Sequence, residues 1–358
     1  MGKRIGVLTS GGDCAGLNAA IRAVTLRANQ EPGWEVYGIH QGTAGLLARP
    51  ASYEILSAQN IDGRILRQGG TIIGSTNKGN PFAYPMPDGS LKDRSQEIID
   101  AYHGLKLDAL IAIGGDGSLG IIRRLAVQGG IKLIGIPKTI DNDIGMTENA
   151  IGFLTAAHVA TNALDCLQPT AASHDRVMIM EVMGRDAGHI ALYSGIAGGA
   201  DIILLPEIPY TLDGIYRKIQ AIKDAGRNFA LIVVAEAVRQ ENGTIPTLMH
   251  RDGTARYGGI GQYIASKIEQ DIGAETRHMN LGHLQRGSEP IAADRVMGSV
   301  FGVHAVELIL AGKHDRMVAW QNRQVVDVPL ADAISHNHTV DPNGALVQTA
   351  RGLGISFG

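Results

Sequence analysis

The sequence predicts an α/β protein with mostly parallel sheets, and three observations carry that prediction. Short apolar runs rich in β-branched residues alternate with helix-length stretches, as in βαβ units. The runs lack polar alternation, so both faces of each strand are buried. Glycine accounts for 47 of 358 residues, close to twice the usual ~7%, which suits tight turns and close backbone approaches.

In chain order, Ile5-Gly6-Val7-Leu8-Thr9 is a buried strand that leads through Ser10-Gly11-Gly12-Asp13 into a helix over about 16–28. A second strand follows at 36–40. Residues 41–106 are the least regular part, with turns at Gly69-Gly70-Thr71 and Asn80-Pro81 and an exposed loop around Pro85, Pro87, Asp88 and Gly89. Strands over 107–113 and 132–136 then flank a helix near 118–128. A helix over about 153–167 opens a second set, with strands at 177–180, 202–205, 231–234 and 275–279. Helices near 186–197, 211–225 and 259–271 separate them. The length suits two domains, and the simplest division is two α/β layers with a break near residue 150.

Bulk properties narrow the function. A net charge of −3 argues against a nucleic-acid binder, which carries a basic stripe, but not against anionic substrates. No run of ~18 apolar residues is present for a membrane span. The first residues run into a strand without signal-peptide features, and Gly6 breaks the myristoylation pattern. Cys14 and Cys166 are the only cysteines, so no disulfide framework is expected. These features predict a cytoplasmic protein with no membrane partner.

Chemistry concentrates at predicted strand ends, where open α/β sheets bind ligands. Ser10-Gly11-Gly12-Asp13 and Gly114-Gly115-Asp116-Gly117-Ser118 offer bare backbone N–H groups and a helix N-terminus to a phosphate. The first is equally compatible with a tight turn, and Asp116 either binds Mg²⁺ or caps the following helix. In Pro137-Lys138-Thr139-Ile140-Asp141-Asn142-Asp143, two carboxylates two residues apart project to one side of an extended segment. Held together they need a cation or a proton between them. One is therefore assigned to a metal and the other to proton abstraction in phosphoryl transfer; an Asx-rich turn is the structural alternative. Cations follow at Arg176, Arg185, Arg277 and Arg286, with His283 in Gly282-His283-Leu284-Gln285-Arg286-Gly287. Such a group suits a sugar phosphate, because arginine grips phosphate in a planar fork. Glu236 follows another strand and can accept from sugar hydroxyls or form an ion pair. Cys14 lacks an activating base and is read as a small filler.

These motifs, in this order, resemble the phosphofructokinase family over nearly the whole chain, from Ile5 to about Asp332. The resemblance implies two three-layer α/β domains, with the active site in the cleft between them. Residues 1–152 with about 284–335 would form the phosphoryl-donor domain. Residues 153–283 with 336–358 would form the fructose 6-phosphate domain. The implied reaction moves a phosphoryl group from ATP-Mg to the 1-hydroxyl of fructose 6-phosphate in glycolysis. Asp141 would be the base, with Thr139, Asp143 and Arg185 also catalytic and Asp116 holding Mg²⁺. Arg176, Met183, Gly184, Glu236, Arg277, His283 and Arg286, with Thr139, Asp141 and Arg185, would bind the sugar phosphate. Gly12, Asn77, Lys78, Gly115, Asp116, Gly117 and Ser118 would hold the nucleotide. Arg176 and Arg277 match positions that the family supplies from a neighbouring subunit, which implies a homo-oligomer, dimer or tetramer.

Two positions bear on the donor. Gly117 is the ATP-type residue, because a carboxylate there would meet the α-phosphate. Lys138 is the residue of pyrophosphate-type relatives. The missing side chain outweighs the long flexible one, so ATP is the expected donor and a pyrophosphate-dependent phosphotransferase is the alternative. A lipid or NAD kinase shares the Gly-Gly-Asp-Gly loop but leaves the second carboxylate pair and the Gly-His-Leu-Gln-Arg segment unexplained. A non-catalytic sugar-phosphate sensor would not need Asp116, Thr139, Asp141 and Arg185 together.

Overall fold

The computed structural model describes residues 2–249 and 255–358. Along the chain, β1 (Arg4–Ser10), α1 (Leu17–Ala28) and β2 (Glu35–Ile39) are followed by α2 (Thr43–Leu47) and β3 (Tyr53–Leu56). A short antiparallel pair, β4 (Tyr84–Pro85) and β5 (Leu91–Lys92), precedes α3 (Ser95–Gly104). Next come β6 (Ala109–Gly114), α4 (Asp116–Gly129), β7 (Leu133–Thr139) and β8 (Ile151–Gly152). The second set is α5 (Phe153–Ser173), β9 (Val177–Val182), α6 (His189–Ala197), β10 (Ile202–Leu204), α7 (Leu212–Asp224) and β11 (Ala230–Ala235). It continues with β12 (Thr247–Met249), β13 (Ala255–Tyr257), α8 (Ile260–Ile272) and β14 (Thr276–Asn280). The chain closes with α9 (Leu284–Gly287), α10 (Ala292–Leu310), β15 (Arg316–Gln321), β16 (Gln324–Pro329), α11 (Leu330–Ala333) and α12 (Ala345–Gly352).

Packing divides the chain into two units, Met1–Thr155 with Arg286–Asn337 and Ala156–Gln285 with His338–Gly358. The first unit holds a sheet in the order β16-β15-β7-β6-β1-β2-β3. Its centre is parallel, and only the edge pairs β15·β16 and β2·β3 are antiparallel. Every residue of β6 and β7 is buried, so both faces of these strands are covered. Each fully buried Ile or Leu contributes about 1.5–3 kcal/mol. On one face, Ile98, Ile99 and Tyr102 of α3 pack with Leu119, Ile122 and Leu125 of α4 in a single cluster. Elsewhere in the unit α1 and α10 run in close contact, where Gly298 and Gly302 are required. A Cβ on them would fall 2.8 Å from the Gly16 carbonyl oxygen and 2.6 Å from that of Ala20.

The second unit has a parallel sheet in the order β10-β11-β9-β14. All six residues of β11 are buried. The C-terminal segment adds a parallel bridge from Ser356 to Ile202 at the β10 edge.

The stretch 41–106 departs from expectation, since it contains α2, β3, the β4·β5 pair and α3. The apolar contribution of α3 is only a few residues at helical spacing, too weak beside the surrounding turn signals.

Candidate active site

In the first unit β1, β6 and β7 are neighbours, and Ser10, Gly114 and Pro137 stand in register. The loops after these strands therefore emerge side by side. Gly114 ends β6 and does not belong to its loop. The first loop is pinned from below: Gly11 N donates to the Thr76 carbonyl (2.9 Å), and Ser75 Oγ donates to the Gly11 carbonyl (2.6 Å). Gly11 has φ +87°, and a Cβ there would stand 2.9 Å from Ser118 Oγ and 3.3 Å from Lys138 Nζ. A Cβ on Gly12 would stand 2.8 Å from Arg286 Nη1. Bare backbone is thus backed by a hydroxyl, an ammonium and a guanidinium, the composition of an anion cradle.

Lys138 is not a mobile surface lysine. It is 3% exposed, and its ammonium donates to the Gly12 carbonyl. Burial pushes its pKa down, with the neighbouring Arg286 charge acting in the same direction. Arg286 donates to the Asp13 carbonyl (3.0 Å), so its guanidinium lies against the first loop. That differs from the grouping of Arg286 with the other arginines, and it follows from the chain re-entering the first unit at this residue. Cys14 is fully buried and its thiol is pushed up to about 12 by burial, as an inert filler would be.

Asp116 is the first residue of α4, while Gly115 is the N-cap and makes no side-chain cap bond. Asp116 thus stands in the first turn of α4 and not at the N-cap position itself. A Cβ on Gly117 meets no atom of the described residues within 4 Å, and its backbone is not left-handed. Nothing in the protein's own packing demands glycine there. Asn77 and Lys78 are exposed on the segment that receives Gly11, and Lys78 N donates to Thr76 Oγ1 (3.2 Å).

The third loop carries Asp141 and Asp143, with Thr139 as the last residue of β7, and all three are buried. Asp141 N donates to Thr139 Oγ1 (3.1 Å). The expectation of an extended 141–143 segment is corrected, because Asn142 adopts φ +53°. Strand alternation does not govern which way the two carboxylates point; a left-handed turn does, and asparagine tolerates it better than most residues.

In the second unit, β9 and β11 deliver another loop pair. Gly184 has φ +153° and a Cβ on it would lie 2.5 Å from the Ala187 carbonyl oxygen. Arg185 is itself left-handed at φ +52°, a conformation that costs an arginine about 1–2 kcal/mol. Glu236 Oε1 offsets this by accepting from Gly184 N (3.3 Å) and Arg185 N (3.0 Å). Gln285, fully buried, accepts from Met183 N (3.0 Å) through Oε1 and so ties the loop after β9 to the segment after β14. Glu181 accepts from Gly259 N and Gly261 N at the start of α8 and from Asn280 Nδ2. Gln285 and Glu181 lie within motifs visible in the sequence, but a partner a hundred residues away is not. His283 is exposed just beyond β14.

Arg176 and Arg277 are not gathered with this group. Arg176 precedes β9, and Arg277 pairs with Met178 near the start of the parallel strand β14. They sit toward the opposite end of the sheet from Arg185, which lies beyond the last residue of β9, whereas Arg277 is level with the second residue of that strand. Glu275 bridges them, at 2.7 Å from Arg176 Nε and 2.8 Å from Arg277 Nη2.

Bare backbone backed by cationic side chains can hold a polyphosphate, and a buried carboxylate just beyond the adjoining strand end can take a proton from an acceptor. Such an arrangement suits a phosphotransferase. The family model described as phosphofructokinase matches residues 4–309, and the chain belongs to the phosphofructokinase family. It is 62% identical over 356 residues to "ATP-dependent 6-phosphofructokinase 1" of Nostoc sp. strain PCC 7120, covering 99% of both chains. It is 59% identical to "ATP-dependent 6-phosphofructokinase 1" of Synechocystis sp. strain PCC 6803, covering 99% of this chain and 98% of that protein. Among solved structures, Pichia pastoris phosphofructokinase in the T-state superposes with a TM-score of 0.79 at 30% identity. The match covers 93% of this chain and 35% of that longer one. A pyrophosphate-dependent phosphofructokinase from Marinobacter aquaeolei, 22% identical, superposes with a TM-score of 0.78 over 99% of this chain and 92% of its own, a likeness of fold.

Among the described residues no helix is long and apolar enough to cross a membrane.

Proposed function

We propose that this chain transfers the terminal phosphoryl group of ATP to the 1-hydroxyl of fructose 6-phosphate, breaking the β–γ phosphoanhydride bond and giving fructose 1,6-bisphosphate and ADP in the cytoplasm. The reading rests above all on Gly117: the first turn of α4, which would meet the nucleotide, carries a glycine that the fold itself does not require. The 62% identical relative, named as ATP-dependent, supports the same donor. The pyrophosphate alternative retains only Lys138, whose ammonium is engaged by Gly12.

In this reading the first unit binds the donor and the second binds fructose 6-phosphate. Backbone N–H groups at Gly12, Gly115 and Gly117, with Ser118, Asn77 and Lys78, hold the phosphates. Asp116 suits Mg²⁺, which keeps waters and needs only one or two carboxylates besides substrate phosphates. Among the described residues no three acidic, histidine or cysteine side chains form a dedicated cage. When bound, the ion neutralises phosphate charge. Asp141 accepts the proton of the 1-hydroxyl as its oxygen attacks phosphorus, Thr139 and Asp143 hold the reacting groups, and Arg185 stabilises charge on the phosphoryl group in flight. Met183, Gly184, Glu236 and His283 cradle the sugar phosphate, while Arg286 backs the loop after β1. Arg176 and Arg277 serve the site of a neighbouring subunit in a dimer or tetramer, which fits their place at the far end of their own sheet.

The test is product formation by the purified protein from fructose 6-phosphate and Mg²⁺ with ATP or with pyrophosphate. Turnover with ATP is expected; turnover with pyrophosphate alone overturns the donor. Asp141→Asn should lower kcat by roughly 10²–10⁴-fold with both KM values little changed. Full activity in that variant removes Asp141 as the base.

A further inference from the structure

Asn142 lies between the two buried carboxylates and is itself 5% exposed. Its side-chain Nδ2 donates to the Glu148 carbonyl (3.0 Å), and its Oδ1 accepts from Ala150 N (3.0 Å). One partner can only accept and the other can only donate, so the orientation of the amide is set by the backbone it faces. A residue on a parallel strand makes the same two bonds to the residues flanking its neighbour. The Asn142 side chain therefore acts as a strand partner for residue 149. Main-chain pairing resumes beyond this point, where Ile151 and Gly152 of β8 join Lys138 and Thr139 of β7. The segment it grips is anchored in turn, because Glu148 N donates to the Trp320 carbonyl (2.9 Å) and Trp320 N donates to Thr147 Oγ1 (3.0 Å).

We infer that Asn142 is a positioning residue for phosphoryl transfer, its clamped amide and left-handed backbone setting the turn that aims Asp141. This rests on Asp141 being the base. Asparagine suits the position on both counts, since it accepts positive φ and carries an amide that can close both bonds. Glycine accepts the same φ without the clamp, so Asn142→Gly isolates the amide.

The full chain should be compared with Asn142→Gly and Glu148→Ala in steady-state kinetics and thermal unfolding. Misplacing a reacting group by about 1 Å costs on the order of 10²-fold in rate. Asn142→Gly should therefore lose roughly 10- to 100-fold in kcat. Its KM values for ATP and fructose 6-phosphate should stay within about threefold, and its melting temperature within a few degrees. Glu148→Ala keeps the carbonyl that Asn142 grips and gives up only the side-chain bond from Asn322 N; it should keep its kcat. An Asn142→Gly enzyme with unchanged kcat overturns the inference, and so does an equal loss in Glu148→Ala. A parallel fall of kcat, affinity and melting temperature overturns it as well, since that marks a merely structural residue. An active Asp141→Asn enzyme would instead remove the reading beneath it, whatever Asn142→Gly does.

Discussion

The buried ammonium of Lys138 donates to the carbonyl oxygen of Gly12, 126 residues away in sequence. A residue that the sequence assigns to the pyrophosphate-type pattern serves here as a fastening between the end of β7 and the loop after β1. Folding buries its charge, and replacing a buried ion by an apolar side chain of similar size is often neutral. Lys138→Met should thus move the melting temperature by less than about 5 °C, the equivalent of a kcal/mol or two. The first loop loses its tie, so the KM for ATP should rise several-fold while that for fructose 6-phosphate holds. A large loss of stability with unchanged ATP kinetics would show the contact to be purely structural.

Gly117 separates stability from donor choice more cleanly. Space around its missing Cβ is open, and it lies in the first turn of α4. A carboxylate there is favourable for the helix by about 0.3–1 kcal/mol. Gly117→Asp should melt at or slightly above the parent temperature yet lose most of its kcat/KM with ATP. Retained ATP turnover would mean that the nucleotide does not pass this residue.

His189 gives the second unit a pH dependence. Its Nε2 lies 3.1 Å from the His338 carbonyl, which fixes that nitrogen as the protonated one in the neutral ring. Burial is the main cause that lowers its pKa from 6.5 to about 4, with the His338 charge adding to it. Between those values the unfolded chain binds a proton that the folded chain does not, so stability is full above about 6.5 and falls as the pH drops toward 4. The whole effect amounts to at most about 3 kcal/mol. Melting curves from pH 7 to pH 4 should show His189→Gln losing less stability over that range than the parent; identical slopes would clear His189 of the effect.

Arg277 and Arg176 test the assembly. If they complete a neighbour's sugar-phosphate site, Arg277→Ala should raise the KM for fructose 6-phosphate by about 10-fold or more, the value of a charged hydrogen bond, with the KM for ATP unchanged. Specific activity should also fall on dilution in step with dissociation followed by sedimentation. Activity that stays constant while the oligomer dissociates would show each chain to be self-sufficient.

Much of the fold is legible in the sequence. The strands behind Gly12, Gly115 and Thr139 are continuous apolar runs because both their faces are covered, and burial of that kind leaves a plain mark on composition. Glycine at 11 and 117 was equally visible, though the two differ in cause. Gly11 has a left-handed φ and leaves little room for a Cβ beside Ser118 and Lys138, whereas Gly117 faces open space. An extended segment would aim Asp141 and Asp143 to one side, and the left-handed turn at Asn142 replaces that geometry without leaving a mark in the residue pattern. The polarity of β9 separates Arg176 at its start from Arg185 past its end, which agrees with the sequence-based expectation that the two serve different sites.

By itself the sequence determined the layered α/β class, the family and the chemical kinds of residue at each strand end, since these follow from local periodicity and short motifs. Only the tertiary structure decided what those residues hold. Lys138 fastens Gly12, Arg286 lies on Asp13, Glu236 and Gln285 brace the Arg185 loop, and Asn142 grips the backbone around residue 149. Each of these is a hydrogen bond whose partner is set by strand register and loop path, and a linear pattern carries no record of which distant carbonyl or amide a side chain will meet.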